Sequence, residues 1–139
     1  MKKRLLIIAV CLSIVVSMGL FSGCAEPQVR VPKIHISEES WDFGTAKIGS
    51  DVEYSIIIKN VGGAELSVYA YPNCPACMYL ELEQYNIPPK GETKLHIRIV
   101  EREEGSYEGF IIVTSNDPAQ GEKKLPVKGT FIKPANHQK

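Results

Sequence analysis

Seven runs along the chain alternate apolar and polar residues with a period of two, the spacing that lines one face of a β-strand. Ile34 and Ile36 flank His35, and Val52, Tyr54, Ile56 and Ile58 share a face against Glu53, Ser55, Ile57 and Lys59. The pattern repeats at Leu66, Val68 and Ala70, at Leu80 and Leu82, and at Leu95, Ile97 and Ile99. Tyr107, Gly109, Ile111 and Val113 form the sixth run, and Leu125, Val127, Gly129 and Phe131 the seventh. Turn residues separate them: Asn60-Val-Gly-Gly63, Pro88-Pro-Lys-Gly91, Glu104-Gly105 and Asn116-Asp-Pro118, where Asn and Asp bond their own downstream backbone and Pro fixes φ. No ten-residue stretch places apolar residues cleanly at i, i+3, i+4 and i+7. Short strands at this spacing predict an all-β, immunoglobulin-like β-sandwich of about seven strands over residues 33–133.

The same parity predicts the core. Trp41, Phe43, Ile56, Ile58, Leu66, Val68, Leu95, Ile97, Ile111, Val113, Val127 and Phe131 are expected between the sheets. Ile57 and Ile112 fall on the opposite parity, so their strands are expected to be central and covered on both faces, ahead of cover by a partner. Gly44 and Gly62-Gly63 suit positions of positive φ or close backbone approach. Pro126 donates no ladder hydrogen bond, so the last strand is expected at an edge or beginning near one.

The first 24 residues carry a different signal. Lys2, Lys3 and Arg4 precede an apolar stretch from Leu5 to Leu20, and small residues follow, ending Ser22-Gly23-Cys24. That order predicts a cleaved secretory signal over residues 1–23. Ser22-Gly23-Cys24 resembles the lipobox of bacterial lipoproteins, which implies lipidation of Cys24, residues 24–32 as a short tether holding the chain to a membrane, and a location in the cell envelope. Residues 134–139 are read as a polar tail. Loss of Lys2, Lys3 and Arg4 from the 16 basic residues leaves 13 against 16 acidic ones, a net charge of −3. A weakly acidic surface with dispersed charge excludes nucleic acid as the expected partner. The membrane and an envelope protein partner of unknown identity remain. Nine Pro and 11 Gly argue against a helical bundle.

Several strings align, in order, with a known pattern. Trp41-Asp-Phe-Gly44 is followed by Ile48-Gly49 and by Lys59-Asn-Val-Gly62. Ile87-Pro-Pro-Lys-Gly91, Leu95-His-Ile-Arg-Ile99, Ile112-Val-Thr-Ser-Asn-Asp-Pro118 and Leu125-Pro-Val-Lys-Gly129 come later. Together they resemble a bacterial lipoprotein family of unknown function, with an immunoglobulin-like domain of the Hydin and major-sperm-protein type. The resemblance covers Lys33 to Ile132. It implies a binding or scaffold role and no catalytic activity. Members often carry Cys-Gly-Cys in the loop after the third strand; here that loop reads Asn73-Cys-Pro-Ala-Cys77, with two residues between the cysteines.

Cys74 and Cys77 form the sole chemical constellation. Once Cys11 leaves with the signal and Cys24 is lipidated, they are the remaining cysteines. Three states suit such a pair: a structural disulfide, a redox-active dithiol, or a soft-metal site in which two thiolates and the Met78 thioether hold Cu(I). The disulfide leads. A bridge over so short a loop contributes about 2 kcal/mol by chain entropy. The thioredoxin-like reading lacks its context, because a strand-like Met78-Tyr-Leu-Glu-Leu82 follows where a helix should begin. Zinc would need two further ligands, and His35 and His96 lack suitable spacing. Both histidines are expected at the solvent face of strands, Glu101–Glu104 at a hairpin tip, and Tyr69, Tyr71 and Tyr79 around the cysteine loop as a contact patch or as cross-strand packing. Nucleophile elbows, phosphate loops and His-Glu-x-x-His are absent. The expected protein is therefore a lipid-anchored envelope module that binds rather than catalyses and holds no cofactor. The alternative is a thiol-disulfide or Cu(I)-handling lipoprotein.

Overall fold

The computed structural model describes residues 30–134. The expected signal, Cys24, the first part of the tether and residues 135–139 lie outside the described residues. Nine strands form: β1 (Ile34–Ile36), β2 (Trp41–Lys47), β3 (Val52–Asn60), β4 (Leu66–Pro72), β5 (Met78–Leu82), β6 (Asn86–Ile87), β7 (Glu92–Ile99), β8 (Gly105–Ser115) and β9 (Glu122–Ile132). They build two sheets, β1-β3-β7-β5 and β2-β9-β8-β4-β6, packed as an all-β sandwich. The seven expected runs all become strands. The two additions are the two-residue β6 and β2, whose alternation is broken by Gly44 at φ +68° and a register shift between Asp42 and Thr45.

The alternating parity places Ile34, Ile36, Ile56, Ile58, Leu66, Val68, Leu95, Ile97, Ile111, Val113, Val127 and Phe131 in the buried core, joined by Met78, Leu82, Ile87, Ile99, Tyr107 and Leu125. Each full burial of a side chain of this size stabilises the fold by about 1.5–3 kcal/mol. Trp41 and Phe43, also expected between the sheets, pack against this core but are only partly buried. The reason is that β2 pairs in parallel with β9 at the margin of its sheet, leaving one flank open. There Trp41 stacks on Tyr54 at 4.9 Å between centroids, and Phe43 packs on Phe131 at 5.2 Å. Ile57 and Ile112 do lie on central strands, and both are half-buried on the outer faces of their sheets.

Pro126 lies where β9 passes from an edge to an internal position. Strand β9 runs between β8 and β2, inside its sheet. Pro126 is opposite Phe110, whose carbonyl and N–H both turn away from β9 toward Asn73. The missing N–H of Pro126 therefore points to the other side, where β2 begins its pairing only at Val127. Proline sits just before the strand becomes internal.

The two ends of the sandwich differ. At the end where the described chain enters, buried Asn60 and Asp117 fasten it. Asn60 Oδ1 accepts the Gly62 N–H at 2.9 Å, and its Nδ2 donates to the carbonyls of Ala64 at 2.7 Å and Ile87 at 2.9 Å. Asp117 Oδ2 accepts the Ile34 N–H at 2.9 Å, while Oδ1 accepts those of Ala119 and Gln120 within the β8–β9 turn. Asn116, expected to bond its own turn, instead reaches across to β4, accepting from Ser67 N–H and donating to the Glu65 carbonyl. Gly62 lies so close to the Val31 carbonyl and the Lys33 nitrogen that a Cβ would overlap both. At the opposite end lie the β4–β5 connection with the two cysteines and the β7–β8 connection. Glu101–Glu104 is thus a crossover between sheets rather than a hairpin tip, because β7 and β8 belong to different sheets.

Candidate functional site

The segment Asn73–Cys77 carries the chain from β4 in one sheet to β5 in the other. Such a crossover must reverse direction within a few residues, and Pro75 and Ala76 suit the tight turn that does so. The Cys74 carbonyl accepts the N–H groups of Cys77 at 3.2 Å and Met78 at 2.9 Å. This single closed turn brings the two Cα atoms to 5.5 Å, and the sulphurs are joined in a disulfide. The far side is pinned as well, since the Cys77 carbonyl accepts the Val100 N–H at 3.0 Å. Cys77 packs against the hydrophobic core and Cys74 does not.

The third soft donor is elsewhere. Met78 is 1 % exposed, its side chain inside the core, so the Met78 thioether does not face solvent beside the cysteine pair. Among the described residues no group of three or more His, Cys, Asp or Glu side chains is arranged to hold a metal ion.

Tyr107 is the residue that sequence reasoning passed over. Its hydroxyl lies 3.6 Å from Cys77 Sγ, and its ring packs on Phe43 and Phe131. The signal was present: Tyr107 shares the apolar parity of β8, and an inward-facing phenol needs a hydrogen-bond partner. Burial pushes the Tyr107 hydroxyl above its ordinary pKa, assisted by the nearby charge of Glu101, so it remains a proton donor. Beside the disulfide an open groove of about 540 Å³ is lined by Asp51, Cys74, Cys77, Tyr79, Arg98 and Arg102, among others. The Arg98 guanidinium lies 4.8 Å from the Tyr79 ring centroid and pairs with Asp51 at 3.8 Å.

The expected tyrosine patch divides between two faces. Tyr69 and Tyr71 project from β4 on the outside of the five-stranded sheet, whereas Tyr79 projects from β5 on the outside of the other. The crossover at the cysteines is what separates them. Tyr69 is joined by Tyr85, 5.7 Å away between centroids, and Tyr71 is registered opposite Ile112. Nearby, the Lys124 ammonium sits 3.6 Å over the Phe110 ring. His35 is exposed on β1, and His96 is about half exposed on β7. His96 links Ser55 Oγ on β3 at 2.9 Å to Glu83 Oε1, just past β5, at 3.1 Å.

The two sheets, their topology and the crossover loops define an immunoglobulin-like β-sandwich. The family model for the HYDIN/CFA65/VesB-like, Ig-like domain matches residues 32–130, and the chain belongs to that family. In solved structures the fold is similar to a protein of unknown function from Porphyromonas gingivalis W83, at 21 % identity and a TM-score of 0.65, covering 78 % of this chain and 51 % of that one. This chain thus spans about half the length of the Porphyromonas protein. It is also similar to the ASH/PapD-like domain 7 of human CEP192, at 16 % identity and a TM-score of 0.60, covering 82 % and 96 % respectively. SSP-19, an MSP-domain protein like family member of Caenorhabditis elegans, matches at 11 % identity and a TM-score of 0.54, covering 68 % and 97 %. At these identities the likeness is one of fold. No curated protein matches the chain.

Proposed function

We propose that the protein is a lipid-anchored cell-envelope module that binds a protein partner and performs no catalysis. The observation that carries the binding role is the outer face of the five-stranded sheet, where Tyr69, Tyr71 and Tyr85 are 48 %, 53 % and 54 % exposed beside Ile112 and Phe110. Exposed tyrosines supply contact area at low entropic cost and are enriched at protein interfaces. The anchoring role rests on Ser22-Gly23-Cys24. Several acyl chains on Cys24 would hold the domain durably, at about 0.8 kcal/mol per buried methylene. The chain enters the sandwich at the Asn60–Asp117 end, so a tether there leaves the cysteine loop at the end away from the membrane.

Two experiments test the two halves. Metabolic labelling with a palmitate analogue should mark the wild-type protein and leave Cys24→Ser unmarked; equal labelling of both contradicts the anchor. A photo-crosslinking residue at position 71 should trap a discrete protein adduct in cells, and one at position 59, on the other sheet, should not. Adducts that are identical from both positions contradict a dedicated face.

A further inference from the structure

We infer that the Cys74–Cys77 disulfide is a thiol-accepting redox site in which Cys74 is the attacked sulphur and Cys77 the leaving thiolate. This goes beyond the binding role, which needs no chemistry from the loop. The inference stands on the unequal surroundings of the two sulphurs. Both cysteines line the groove, but Cys77 packs on the core and its Sγ lies 3.6 Å from the Tyr107 hydroxyl, while Cys74 has neither contact. In the disulfide neither sulphur carries a proton, so Tyr107 must be the donor. Among the described residues Cys77 Sγ is the one hydrogen-bond partner of the Tyr107 hydroxyl. A disulfide sulphur is a weak acceptor. A thiolate accepts as a charged group, and hydrogen bonds to charged groups are roughly twice as strong as neutral ones. The phenol is therefore better matched to the reduced pair than to the oxidised one, which makes the disulfide the more oxidising.

The exchange balances as follows. A thiolate attacks Cys74 Sγ; a sulphur–sulphur bond to the incoming group forms as the Cys74–Cys77 bond breaks, and its electron pair leaves on Cys77 Sγ, where Tyr107 donates to it. A second thiolate attacks the incoming sulphur of the mixed disulfide and expels Cys74 as thiolate. Two thiols have become one disulfide, and Cys74 and Cys77 take up two protons to become a dithiol. The more stable thiolate is the better leaving group, which directs attack to Cys74. The substrate class is an exposed thiol, and the groove walls of Tyr79, Arg98 and Asp51 are the surfaces it would meet. An oxidising pair is a poor reductant, so insulin reduction is not expected from this protein.

The test equilibrates the full chain with defined mixtures of reduced and oxidised glutathione, alkylates free thiols and reads the Cys74–Cys77 peptide by mass. Tyr107→Phe keeps the ring packing on Phe43 and Phe131 and deletes only the hydroxyl. It should shift the equilibrium about tenfold toward the disulfide, equal to about 30 mV for a two-electron couple. In addition, brief exposure of the oxidised wild-type protein to glutathione, quenched with acid, should place the glutathione adduct on Cys74 at least tenfold more often than on Cys77. A Tyr107→Phe equilibrium within twofold of wild type, or adducts shared equally between the cysteines or found mainly on Cys77, overturns the assignment. The lipid label on Cys24 is unaffected by either outcome, so failure here leaves the anchoring test independent.

Discussion

Asn60→Ala should lower the free energy of unfolding by about 3–5 kcal/mol, measured by urea denaturation. Asn60 is 1 % exposed and closes the loop after β3 from within. Truncation strands the Gly62 N–H and the carbonyls of Ala64 and Ile87, each left without the partner it has at 2.7–2.9 Å. A buried donor or acceptor without a partner costs about 1–3 kcal/mol, and three lie together here. The neighbouring Lys90 N–H to Asn60 carbonyl and Asn60 N–H to Gly91 carbonyl bonds would lose their alignment with it. Val61→Ala, one residue away on an exposed side chain, should change stability by less than about 0.5 kcal/mol. Equal effects of the two substitutions would mean that the loop, not the amide, is what matters.

Asp117→Ala should cost about 2–4 kcal/mol near neutral pH, because the Ile34, Ala119 and Gln120 N–H groups lose one shared carboxylate. Its pH dependence has a defined sign. Burial raises the Asp117 pKa, but the three backbone donors and the nearby Lys33 outweigh it, and the folded-state value lies below the ordinary 3.8. A depressed carboxyl contributes stability above its unfolded value and loses that contribution as pH falls through the folded one. Wild type should therefore lose its advantage over Asp117→Asn progressively below about pH 4. Thermal unfolding of both proteins from pH 7 to pH 2.5 checks this, and a constant difference between them over that range would contradict it.

The strand pattern was legible because each run buries one parity, and parity is a local property. Pairing is not local. Nothing in Trp41-Asp-Phe-Gly44 says that its strand will run parallel to β9 at a sheet margin, so Trp41 and Phe43 were expected deeper than they lie. The split of Tyr69 and Tyr71 from Tyr79 has the same origin, since only the crossover between sheets decides which side an outward parity faces. Met78 shows a further limit: beside two cysteines its sulphur suggests a ligand, while as the first residue of β5 it shares the inward parity of Leu82. The cysteine pair itself was visible as Cys74-Pro-Ala-Cys77. Its link to Tyr107 spans 30 residues and two sheets, and no spacing rule reports it.

The competing account makes the loop a copper site in place of a redox pair on a binding module. Intact mass of the native protein, with thiol titration before and after addition of Cu(I), separates the two most directly. The binding-module account expects Cys74 and Cys77 to be bridged, with no free thiol at either position and no copper retained. A reduced pair holding stoichiometric copper, lost in both Cys74→Ser and Cys77→Ser, would contradict it.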